Sequence, residues 1–307
     1  MRVAVVGQQA FGTAVLEAFM ARGDTVAGVF VAPDAPGAKP DPLGAAARAK
    51  GLPVFPTANY RAEETIDTLR RLSVDLGIMA YVLQFVPQAF CRLPRLGTIQ
   101  FHPSLLPQHR GPSSINWPIM LGRSRTGLTI FRPVDGLDEG PVILQKEVAI
   151  GPDDTVGSVY FNKIFPLGVA ALLEAADLLV AGKAAEHAQD ENGASYEGWV
   201  REAESRINWA NPVDIVYDLI RGCDPAPGAW TLADGRRLHL FDCRKSVARS
   251  FAEVKGLKCG EVVATAASSF TVHAQGGFIE VQRCRFADGK KISGGEAGLS
   301  VGTILGP

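Results

Sequence analysis

Short apolar runs alternate with longer stretches of helical spacing through the first half of the chain. Residues 3–6 are unbroken apolar, and 13–21 follow with apolar residues at helical intervals. Residues 25–31 form a second apolar run, 42–50 read as a helix, 53–55 as a short strand and 63–72 as a charged amphipathic helix. Residues 75–80 read as a buried strand, 97–101 as a short one, and 128–131 and 142–148 as two more. A long apolar-periodic helix is predicted over 156–181, ending at a Gly182-Lys183 C-cap. Strands alternating with helices predict βαβ units and a mostly parallel sheet covered on both faces.

The pattern changes after about Gly193. Residues 196–207 are polar and charged, as suits an exposed connection, and one further helix is predicted over 212–220 with Pro212 in its first turn. Beyond Gly222 only short strand-like runs remain, at 229–232, 238–241, 261–264, 270–273 and 278–283, separated by glycine-rich turns. Such spacing predicts a small all-β sandwich or barrel. The expected organisation is therefore an α/β domain over 1–203 and a β-rich domain over 204–307.

Composition narrows the function classes. At 307 residues, with 47% hydrophobic and 21% charged residues, the chain is that of an ordinary globular protein. A net charge of −1 calls for neither nucleic acid nor an anionic membrane. No apolar run approaches the ~18 residues of a membrane span, and the N-terminal run is too short for a signal peptide, so a cytoplasmic location is expected. The five cysteines are odd in number and have no metal-ligand spacing, which predicts reduced thiols and no metal.

Three segments are candidates for chemistry. The turn Gly7-Gln8-Gln9-Ala10-Phe11-Gly12 follows a strand and opens a helix, so its N–H groups could cradle an anion; it lacks the third glycine of a dinucleotide fingerprint. The block 100–111, QFHPSLLPQHRG, runs a short strand into His102 and then into two prolines. Pro103 ends regular pairing and holds His102 at the carboxyl end of the strand, where open α/β sheets bind ligands. His109 reads as a surface loop residue. The loop 134–141 joins two apolar strands and carries Asp135, Asp138 and Glu139. Asp135 and Glu139 fit a solvated hairpin, whereas Asp138, folded over the same sheet end, would orient His102 and take a proton.

The blocks HPSLLPQHRG with Ile115-Asn116-Trp117, and LDEGPVILQ at 137–145, resemble the formyltransferase family that uses 10-formyltetrahydrofolate. GQQAFG, DPLG, SYEG, RINW and IRGCDPAPGAWT bring the chain closest, within that family, to the N-terminal hydrolase domains of 10-formyltetrahydrofolate dehydrogenases. The aldehyde dehydrogenase part of those enzymes is not expected, since the sequence ends at Pro307. The resemblance implies a Rossmann-like domain followed by a barrel similar to an OB-fold. It also implies catalytic roles for His102 and Asp138, with Gln100 at the family's asparagine position. The family's pterin-binding segment falls on Leu83, Gln84, Phe85 and Val86, with Asp135, Gly136 and Leu137 leading to Asp138 on the other wall. The implied co-substrate is 10-formyltetrahydrofolate, and no metal is needed.

The implied reaction removes the formyl group, passing it to a small amine or to water. Aminoacyl-tRNA is a weaker alternative acceptor, since from Arg206 onward 13 basic residues face 10 acidic ones, a slight excess. A folate-binding module without turnover is the reading from another class, and intact His102 and Asp138 speak against it.

Overall fold

In the computed structural model, which describes residues 1–287 and 289–306, the chain divides into two compact units. The first comprises Met1–Gly111, Gly127–Val148 and Lys163–Tyr196, the second Pro112–Thr126, Ala149–Asn162 and Glu197–Pro307.

The first unit is built on a seven-stranded sheet. Its elements begin β1 (Arg2–Gly7), α1 (Gln9–Ala21), β2 (Thr25–Val31), α2 (Pro42–Ala49), β3 (Val54–Pro56), α3 (Glu63–Leu72), β4 (Leu76–Ala80) and α4 (Gln88–Cys91). They continue with β5 (Thr98–His102), β6 (Arg125–Phe131) and β7 (Val142–Ala149). The strand order is β3-β2-β1-β4-β5-β6-β7; β1 to β5 pair in parallel and β6 is antiparallel to β5. Val3 to Val6 of β1 are fully buried, as a strand covered on both faces requires. Phe11 of α1 stacks on Phe101 and meets Phe165, while Ala4, Val6 and Met79 pack with Tyr60, Leu69 and Phe90 in another cluster. The order reverses between β1 and β4, which puts a ligand crevice at the carboxyl ends of the central strands.

One predicted element is corrected. The single helix expected over 156–181 is an α-helical turn, Val156–Val159, then a π-helical turn, Tyr160–Ile164, then an α-helix, Phe165–Val180. Pro166 has no N–H to continue an α ladder through the junction, and the wider turn takes up the mismatch.

The second unit carries an antiparallel sheet: β8 (Ala229–Ala233), β9 (Arg236–Val247), β10 (Val262–Thr265), β11 (Phe270–Ala274), β12 (Gly277–Phe286) and β13 (Ile292–Ser293). The order is β10-β11-β12-β9-β8, with β13 on β12. The helix Val213–Gly222 lays Val213, Val216, Tyr217 and Ile220, one stripe at helical spacing, against a core that includes Leu238, Leu240, Val272, Ile279 and Val281. β9 is longer than its apolar run suggests, because Arg236 and Arg237 before that run and the polar residues Asp242, Arg244, Lys245 and Ser246 after it hide the strand pattern. The C-terminal segment bridges the edge strands: the Val262 N–H donates to the Thr303 carbonyl and the Gly306 N–H to the Leu232 carbonyl.

Among the described residues no helix is long and apolar enough to cross a membrane. All five cysteines are free thiols.

Candidate active site

β5 ends where the sequence predicts, at the carboxyl end of a parallel strand, and His102 is its last residue. Alternation along β5 sends Ile99 and Phe101 to one face and Gln100 and His102 to the other. His102 is 5% exposed. Its Nε2 lies 2.9 Å from the His109 carbonyl oxygen. A carbonyl only accepts, so Nε2 carries the proton and donates, which commits that edge of the ring and leaves Nδ1 for chemistry. Nδ1 is 3.5 Å from Oδ2 of Asp138.

Asp138 reaches this position by a route that strand order alone does not reveal. Phe131 of β6 pairs with Gln100, so the chain leaves β6 toward the amino end of β5 and must fold back to bring Asp138 to His102. Asp138 is 8% exposed and adopts a left-handed backbone, φ 56°. That conformation costs an L-residue roughly 1–2 kcal/mol, and Asp is among the few types that visit it. Oδ2 accepts the Gly111 N–H at 2.8 Å. At Gly140, just beyond, a Cβ would collide with the Arg132 carbonyl.

A charged network underlies this loop. Arg110 is fully buried, and its guanidinium makes a paired contact with Glu191, Nη1 to Oε2 at 2.9 Å and Nη2 to Oε1 at 2.7 Å. It also donates to the Tyr196 hydroxyl and to Oε1 of Gln189. Gln189 in turn donates to the carbonyls of Asp138 and Gly140, and Tyr196 to Glu139. The Glu191 carboxylate drives the Arg110 guanidinium further up, and Arg110 holds the Glu191 carboxyl below the usual carboxylate range. The hydrogen bond to Glu139 raises the Tyr196 phenol.

The remaining candidates lie nearby. The Gln100 side chain shares the face of His102 and makes no hydrogen bond among the described residues. The segment from Leu83 to Val86 leaves the carboxyl end of β4 without regular structure. Leu83 and Phe85 expose their side chains, Val86 is buried, and Gln84 turns its amide to the carbonyls of Thr57 and Ala58. Gln88, just after, donates to the Asp135 carboxylate and the Pro133 carbonyl, tying this segment to the loop of Asp138. Gly136 and Leu137 lie in that loop, with Leu137 57% exposed. The opening turn is different: Gln8, Gln9, Asp34, Lys39 and Asp41 line an open depression of about 440 Å³. There the Gln9 N–H is already taken by the carboxylate of Asp41, which also caps α2, so a phosphate at this turn would meet a built-in anion.

His109 departs from its surface reading. It is buried, and its backbone carbonyl is the group that fixes the His102 ring. Arg110 and Tyr196 lay within motifs the sequence singled out, but no role was legible for them; Gln189 carried no signal. Burial pushes the thiols of Cys91 and Cys223 up to about 12, far from a nucleophilic thiolate. Among the described residues no group of three or more His, Cys, Asp or Glu could hold a metal ion.

Comparison with known proteins gives the site a context. Residues 1–175 match the formyl transferase family and residues 200–298 the formyl transferase C-terminal domain. The chain is 41% identical over 247 residues to the cytosolic 10-formyltetrahydrofolate dehydrogenase of Mus musculus, covering 79% of this chain and 27% of that protein. It thus spans about a quarter of the length of that relative. It is 31% identical to the methionyl-tRNA formyltransferase of Geobacter sulfurreducens over 100% of this chain and 97% of that protein. Among solved structures, HypX from Aquifex aeolicus in complex with tetrahydrofolic acid superposes with a TM-score of 0.70 at 19% identity, covering 96% of this chain and 46% of that one. An N-formyltransferase from Helicobacter canadensis, in complex with folinic acid and dTDP-3-aminofucose, gives 0.67 at 15% identity, covering 91% and 98%. At these identities the structural likeness speaks for the fold.

Proposed function

Since the chain belongs to the formyl transferase family, we propose that it is a cytoplasmic enzyme that removes the formyl group of 10-formyltetrahydrofolate, passing it to a small amine or to water. The observation that carries this reading is the buried contact of His102 Nδ1 with Asp138 Oδ2, 3.5 Å, at the carboxyl end of β5. The exposed apolar side chains of Leu83, Phe85 and Leu137, beside an irregular segment with backbone groups to offer, fit a flat heteroaromatic ligand such as a pteridine. In this reading Leu83 and Phe85 supply side chains, Gln84 and Val86 backbone, and Asp135 to Leu137 the opposing wall.

The reaction joins the nucleophile to the formyl carbon, breaks the bond from that carbon to the folate nitrogen, and moves the nucleophile's proton to that nitrogen. Asp138 accepts the proton from the attacking amine or water, and the edge of His102 shared with Asp138 returns one to the departing nitrogen. Protonated His102 also stabilises the developing oxyanion; one such donor is worth about 10²–10³ in rate. Gln100, on the same face as His102, is a second carboxamide donor for that oxygen.

A second reading, with aminoacyl-tRNA as acceptor, is favoured by the match to 97% of the Geobacter sulfurreducens relative. Aromatic-backed cations in the second unit, Arg237 over Trp230 and Lys291 over Phe241, are suited to nucleic acid. Incubation with 10-formyltetrahydrofolate alone, with small amines and with methionyl-tRNA separates the readings. Formate without acceptor means hydrolysis, and a formylated tRNA makes the second reading the right one. If none of the three consumes the folate, the enzyme reading fails and a binding module remains.

A further inference from the structure

Arg110 is entirely buried, and it reaches the loop of Asp138 by two routes, through the Tyr196 hydroxyl to the Glu139 side chain and through the Gln189 amide to the main chain itself. Its Nε and Nη2 donate to Oε1 of Gln189 at 3.1 and 2.8 Å, and Nε2 of Gln189 donates to the carbonyl oxygens of Asp138 and Gly140, both at 2.8 Å. Chemistry fixes which way the amide points. The guanidinium can only donate and the two carbonyls can only accept, so the oxygen faces Arg110 and the nitrogen faces the loop. Those carbonyls flank Glu139, one of them belonging to the left-handed Asp138 itself. Glu191 holds the other side of the guanidinium, so Arg110 cannot swing away from Gln189 without breaking a paired contact.

We propose that Gln189, oriented by Arg110, is a positioning residue that holds the Asp138 carboxylate at its working place beside His102. The inference rests on the reading of His102 and Asp138 as the catalytic pair. Gln189 touches neither reacting side chain; it acts on the backbone from which Asp138 projects.

Gln189→Glu is the discriminating substitution. It keeps an oxygen and a charge partner for Arg110, but turns an oxygen toward two acceptors where an N–H donor stood. The single-turnover rate of formyl release at saturating folate should fall by about 10–10²-fold, as displacement of a catalytic group does. In an Asp138→Asn background the same substitution should cost less than about twofold more, because its route of action is already gone. Amide hydrogen exchange should quicken over residues 135–140, a readout that needs no turnover. An unchanged rate, equal losses in both backgrounds, or an unchanged exchange pattern in the loop would each overturn the proposal. If Gln189→Glu does not fold, Gln189→Met, which keeps the length and removes both polar ends, takes its place in the same cycle. A wild-type protein that consumes no 10-formyltetrahydrofolate sinks the functional reading instead, and loop exchange then decides the positioning claim alone.

Discussion

Arg110 in the first unit and Arg221 in the second are both buried, and they are satisfied by different kinds of partner. Arg110 bonds to side chains: Gln189, Glu191 and Tyr196. Arg221 pairs with Asp218, three residues earlier on its helix at 2.8 Å, and donates to the backbone carbonyls of Asp154 and Gly151. Burying a guanidinium is costly unless its fork is met: Nε, Nη1 and Nη2 of Arg110 all donate, and Nε and Nη1 of Arg221 do. The consequences differ. Carbonyl partners stitch one stretch of main chain to a helix, so Arg221 serves the fold. Side-chain partners that in turn grip the loop of Asp138 make Arg110 a device for geometry, in the unit that carries the candidate chemistry.

The largest expected effect lies at the pair Arg110 supports. His102→Ala and Asp138→Asn should each lower turnover by at least about 10²–10³-fold, with the double variant little worse than either single one. Folate affinity, measured by calorimetry, should change far less; near-normal turnover in His102→Ala would undo the mechanism. Next come the two arginines themselves. Lysine cannot span Gln189 and Glu191 together, so Arg110→Lys should lower kcat about tenfold at temperatures where the protein is folded. Arg221→Lys should leave kcat alone and lower stability to denaturant by about 1–3 kcal/mol. Equal kcat losses in the two variants would erase the contrast.

A smaller effect follows from pH. Arg110 holds the Glu191 carboxyl low. A folded value below the unfolded one, about 4.3 for a free glutamate, means that the stabilisation is whole above the unfolded value. It is lost as pH falls through the depressed folded one. Acidification should therefore loosen residues 189–196 in exchange measurements, and Glu191→Gln should abolish that dependence. The most selective change is Gln100→Ile, which should lose transfer to an amine while keeping some hydrolysis; identical kinetics would reduce Gln100 to packing.

The alternation of apolar runs and helical stretches is enough to foretell the mostly parallel sheet, and the short runs after Gly222 a separate β-rich domain, whose antiparallel pairing the structure supplies. Both signals are local periodicities, imposed by which faces must be buried. His102 was equally legible, because Pro103 stops the strand where the histidine sits. The break in the predicted helix at 156–181 is not, since a one-residue shift, Val159 to Ile164 among the buried positions, is too slight to interrupt an apolar-rich run read along the chain.

Residue types and their spacing along the chain thus settled the class of fold, the strand end that bears His102 and the loop that bears Asp138. Which atoms meet was decided only in three dimensions. The return of that loop over β5, the His109 carbonyl on the imidazole, and the reach from Arg110 through Gln189 to Asp138 join residues up to 79 positions apart. Single side chains with no periodic neighbours make these contacts, so no pattern along the chain announces them. Their positions follow from how the sheet registers its strands and where the connecting segments are free to turn back.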